Sequence, residues 1–176
     1  MNRFLVNVLL VMVVSTLSLQ GQTNEKRLLS ACETRIAARF RQWRFAQVTA
    51  EVAEFAKRQH ENPTIARGDF DGDGRTDVAL LIQDGAAPDS NYPGRLNSLH
   101  IAVCLNRKTQ VKLYMIDKLY CGDGITRAPK GKSYYNFETE KTGTYLLDGV
   151  SAYCFEKAGA TYEFENGAFH QIVDSD

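Results

Sequence analysis

The run Asp69 to Asp77, D-F-D-G-D-G-R-T-D, constrains this chain more than any other segment, because it sets four carboxylates within nine positions, the first three in alternation. Calcium is a hard cation that takes six to eight oxygen ligands at about 2.3–2.6 Å, and carboxylates at alternate positions of a short loop supply them compactly. Asp69, Asp71 and Asp73 have that phase. Gly74 falls where the chain must reach a positive φ to curl round an ion. Arg75 is expected to offer its backbone carbonyl with its side chain turned away, and Asp77, at the ninth place, to ligate directly or through water. The plain alternative is a wet Asp/Gly-rich turn that binds nothing. Two carboxylates about 5 Å apart repel by only about 1 kcal/mol in bulk water and about 3 kcal/mol at an effective dielectric of about 20, so repulsion alone does not decide. The phase of the aspartates combined with the glycine and the closing acid favours metal.

A helix–loop–helix calcium site ends on a bidentate Glu at the twelfth place, which here is Leu80, inside the apolar run Val78 to Ile82. The loop is therefore expected to lead into a buried strand. The stretch G-D-F-D-G-D-G-R-T-D-V-A-L-L, Gly68 to Leu81, resembles the calcium loop and following strand of FG-GAP/VCBS-type repeats. The order of helices, loop and aromatic C-terminal part is similar to small single-motif exported bacterial proteins. The resemblance implies a bound Ca2+ with Asp69, Asp71, Asp73, the Arg75 carbonyl and Asp77 as its ligands. The motif occurs once, so a whole propeller cannot be built and its adhesive functions are not implied.

Arg3 ahead of an apolar run from Phe4 to Val14, then small and polar residues to Gly21, reads as a secretory signal over residues 1–21, with an uncleaved anchor as the alternative. The run is shorter than the roughly 20 apolar residues of a membrane span. About 155 residues remain, enough for one domain, 22–176, with a hydrophobic core. Cys32, Cys104, Cys121 and Cys154 would enter an oxidising compartment, where two disulfides are expected in one of three pairings. The expected location is periplasmic or extracellular. Lys plus Arg equals Asp plus Glu at 21 each, which removes the electrostatic basis for binding nucleic acid or an anionic membrane surface.

Helical periodicity appears twice, from Glu25 to about Arg41 through Leu28, Leu29, Cys32, Ile36 and Phe40, and from about Ala46 to Arg58 through Val48, Val52, Phe55 and Ala56. Asn62-Pro63 closes this helical part, 22–62. Residues 63–176 read as short β runs, among them a hairpin of His100–Leu105 with Val111–Ile116. In a second hairpin, Asn166-Gly167 forms the turn and sets Phe164 opposite Phe169, Tyr162 opposite Gln171 and Glu163 opposite His170. The expected fold class is α+β, N-terminal helices followed by a mainly antiparallel sheet. Asp84–Asn97 and Gly122–Lys132 read as long loops able to carry a binding surface.

Other chemistry has little support. His60, His100 and His170 lie outside any H-E-x-x-H pattern, no G-x-S-x-G occurs, and Gly131-Lys132-Ser133 lacks the earlier glycine of a phosphate loop, having Thr126 in its place. Asp117, Asp123 and Glu138 are read as solvated charges, and the aromatic residues between Tyr134 and Phe169 as strand packing. The chain is thus expected to be a monomeric calcium-binding domain without a catalytic residue, open to a protein or carbohydrate ligand. The alternatives are a hydrolase with an acidic site built on the two long loops, and an adhesion or inhibitor module.

Overall fold

The structure, a computed structural model, describes residues 24–85, 98–155 and 159–175. The expected export signal and positions 86–97 of the first long loop lie outside these. Within the described residues strand accounts for 46% and helix for 18%, arranged as two antiparallel sheets and two helices. The α+β expectation is therefore overturned, and the protein is mainly β. Helical periodicity over-read the N-terminal part because a strand interrupts it. Trp43–Phe45, here β1, pairs with Asp84–Ile82 at the edge of a sheet, so 22–62 is not a helical unit.

Helix α1 covers residues 24–39 and α2 covers Ala50–Arg58. The second helix begins later than its apolar spacing suggests because Thr49 caps it, its side chain accepting the Val52 N–H at 3.3 Å. The first sheet comprises β1, β2 (Ile65–Gly68), β3 (Asp77–Asp84), β4 (Leu99–Asn106) and β5 (Val111–Ile116), in the order β1-β3-β4-β5, with β2 also paired to β3. The second comprises β6 (Gly124–Ala128), β7 (Ser133–Asn136), β8 (Lys141–Thr144), β9 (Gly149–Tyr153), β10 (Gly159–Glu165) and β11 (Ala168–Ser175), in the order β6-β9-β10-β11-β7-β8. Both expected hairpins form, β4 with β5 and β10 with β11, the latter in the expected register with positive φ at Asn166 and Gly167.

The continuous apolar run of β3 is explained by burial on both faces. Val78, Leu80 and Ile82 pack with Leu28, Cys32 and Ile36 of α1, whose spacing of four residues aligns them along one stripe. Ala79 and Leu81 point the other way, into a core shared with Ile125, Val150, Ala152 and Tyr162 of the second sheet. Disulfides reinforce both layers. Cys32–Cys104 ties α1 to β4, and Cys121–Cys154 joins the segment before β6 to the end of β9. Among the described residues no helix is long and apolar enough to cross a membrane.

Candidate metal centre

The Asp-rich run is the tip of a hairpin, since Gly68 pairs with Asp77 and residues 69–76 connect β2 to β3. Leu80 is fully buried in β3, as its place in the apolar run anticipated. Gly74 has φ +80°, and open space surrounds its Cα, so backbone conformation rather than crowding selects glycine there.

Asp69, Asp71 and Asp77 come together, each offering a carboxylate oxygen within 4.8 Å of the others. The loop's own N–H groups fix their orientation: Gly74 donates to Asp69 Oδ2 at 2.9 Å and Asp73 to Asp71 Oδ1 at 3.2 Å. Asp77 is fully buried and joins two elements, its Oδ2 accepting the Phe70 N–H at 2.9 Å and its Oδ1 the Asn106 N–H at 2.7 Å. Asp69 Oδ1 and Asp71 Oδ2 are buried and accept no hydrogen bond. Asp71 Oδ2 does lie 2.8 Å from Arg107 Nη2, an ion pair without hydrogen-bond alignment.

Asp73, expected beside these three, is not in the group. Its Oδ1 accepts the Arg75 N–H at 3.0 Å and its Oδ2 is paired with the Arg75 guanidinium. The Arg75 side chain, expected to point away, instead folds over the loop and also donates through Nε to Asn106 O at 2.5 Å.

Burial is the main cause that pushes the Asp77 carboxyl up to about 7, aided by the charges of Asp71 and Asp73 and opposed by the Asn106 and Phe70 N–H groups. Asp71 is raised by burial as well, against the Asp73 N–H and Arg107. Three carboxylates within 4.8 Å repel pairwise by about 3 kcal/mol at an effective dielectric of about 20. Among the described residues Arg107 is the one cation in contact with the trio, and a single charge offsets only part of that repulsion.

Asp148 completes the setting, and nothing in its sequence neighbourhood marked it. It precedes β9, its Oδ2 accepts the Asp69 N–H at 3.0 Å, and its Oδ1 accepts the Lys130 N–H at 2.9 Å. Gly68 is required by this approach, because a Cβ there would lie 2.9 Å from Asp148 Oδ2 and 2.8 Å from the Phe70 ring. Asn106 and Arg107 follow the His100–Leu105 run of the expected hairpin, where no local signal ties them to the Asp-rich loop.

His100, Asp117, Asp123 and His170 make packing and surface contacts. His100 Nδ1 sits 3.0 Å from Asp117 Oδ1 and its ring stacks on Phe40, while Asp117 also pairs with Arg39. Asp123 Oδ2 accepts the Phe155 N–H at 3.1 Å, and His170 Nε2 lies 3.2 Å from Glu165 O. Phe164 and Phe169 pack against each other and against Tyr114 at the border of the inter-sheet core. No family model, curated protein or solved structure matches the chain.

Proposed function

We propose that this protein is an exported calcium-binding domain in which the ion locks the β2–β3 loop onto β3 and β4. The carrying observation is the convergence of Asp69, Asp71 and Asp77, with one buried oxygen on each of Asp69 and Asp71 left without a hydrogen bond. Buried polar groups in folded proteins are nearly always satisfied, so the Asp69 oxygen points to a missing cationic partner, while the Asp71 oxygen has only the unaligned Arg107 guanidinium. The donor set is entirely carboxylate, which selects a hard ion over zinc or copper. Calcium's flexible shell of six to eight oxygens suits an irregular hairpin tip better than magnesium's strict octahedron.

The resemblance of Gly68–Leu81 to FG-GAP/VCBS-type calcium loops supports the same ion. Backbone carbonyls such as that of Arg75, together with water, would supply the remaining ligands, and Asp73 would join only by releasing Arg75. Export is supported by the signal-like first 21 residues and by two disulfides, which persist in oxidising compartments.

Thermal unfolding in millimolar calcium against chelator tests the reading. A ligand at one hundred times its Kd adds about 2.7 kcal/mol, which for a domain of this size raises the Tm by roughly 5–10 °C. An unchanged Tm, with no heat of calcium binding, would refute it.

A further inference from the structure

We propose that Arg107 is a tethered cation that competes with calcium for Asp71 and thereby sets the calcium concentration at which the site loads. The inference rests on the calcium reading and extends it to regulation of the same site. The Asp71 side chain is fully buried, and the guanidinium of Arg107 reaches it at 2.8 Å, the Arg107 side chain as a whole being 38% exposed. The contact lacks hydrogen-bond alignment at Asp71 Oδ2, so charge holds it rather than a directional fork. An ion ligated by that carboxylate at about 2.3–2.6 Å would stand against the guanidinium, and the two cations would repel.

Arg75 has a different part. It is bound to Asp73, outside the trio, and is anchored a second time on Asn106 O, so it braces the loop. Among the described residues the Arg107 side chain has no second anchor, and its backbone N–H is held in the β4–β5 turn by Leu105 O and Gln110 O. The side chain can therefore swing without moving the turn. It borders a cleft of about 690 Å³ shared with Arg27, Lys108 and Gln110, which gives the displaced guanidinium solvent-accessible room. Removing a competing charge strengthens binding of the other cation, and couplings of this kind are commonly about 5- to 150-fold.

Isothermal titration of the full chain with calcium chloride, comparing wild type with Arg107→Ala and Arg107→Gln, tests the proposal. Both substitutions should tighten calcium binding by about tenfold, within the usual range of such couplings. Calcium binding by the wild type with unchanged or weaker binding in both variants would overturn this inference alone. A wild type that binds no calcium would remove the calcium reading and this inference with it. Should either variant fold poorly, phenylglyoxal labelling of the wild type read by mass spectrometry decides. Saturating calcium should raise modification of Arg107 relative to Arg75, and equal or lower modification would overturn the proposal.

Discussion

Asp148 accepts the backbone N–H of Asp69 at 3.0 Å across 79 positions of sequence, fastening the hairpin tip of one sheet to the turn that enters β9 of the other. The same carboxylate accepts the Lys130 N–H and faces the Arg127 guanidinium at 3.6 Å. Asp148→Ala should remove two charge-assisted hydrogen bonds and leave the Asp69 N–H without its acceptor. The expected loss is about 2–3 kcal/mol of stability, read from urea unfolding, together with weaker calcium binding. Unchanged unfolding would show that the clasp contributes nothing.

The division between Asp71 and Asp73 gives a second expectation. Asp71→Ala should abolish the calcium-dependent rise in Tm, because Asp71 belongs to the converging trio. Asp73→Ala should retain part of the rise, because its carboxylate is engaged by Arg75. Parallel melts of the two variants in calcium and in chelator check this, and equal loss in both would place Asp73 among the ligands.

Asp77 makes stability depend on pH in an unusual direction. Its carboxyl is raised from an ordinary 3.8 to about 7, chiefly by burial, so the folded protein holds a proton that the unfolded chain has released over that interval. The contribution is complete below about pH 4 and is lost as pH rises through about 7. In chelator, stability should therefore fall between those values, as urea midpoints would record. Calcium favours the ionised carboxylate, so its stabilising effect should grow over the same interval. A flat profile in chelator would argue against a protonated Asp77.

The two disulfides should differ modestly. Cys32–Cys104 spans 72 positions and Cys121–Cys154 spans 33. Loop-closure entropy alone gives about 4.4 kcal/mol for the longer and about 3.7 kcal/mol for the shorter. Paired Cys→Ala substitutions compared by urea unfolding should each cost several kcal/mol, with the α1–β4 link costing more. The reverse order would mean that residual structure or packing outweighs chain entropy.

Local signals in the sequence are legible where the physics is local. Asn166-Gly167 specified a tight turn, and counting outward placed Tyr162 opposite Gln171 as found. Leu28, Cys32 and Ile36 marked a helix stripe that is indeed buried. Trp43–Phe45 was not legible, since three residues form too short a run to show alternation. Its strand character comes from pairing with β3, and that pairing is why the N-terminal part is not a helical unit.

The amino-acid sequence by itself determined the spacing of the loop acids, the glycine that lets the chain turn at position 74, and the apolar strand that follows, because these depend on neighbours a few bonds away. Only the tertiary structure decided which carboxylates meet. Asp73 is drawn to Arg75, whereas Asp77 is carried inward by β3 and pinned by Asn106 from β4. Arg107 and Asp148 reach the same loop from distant turns. Charge acts through space, so the partners of Asp71 and Asp69 were settled by the packing of strands.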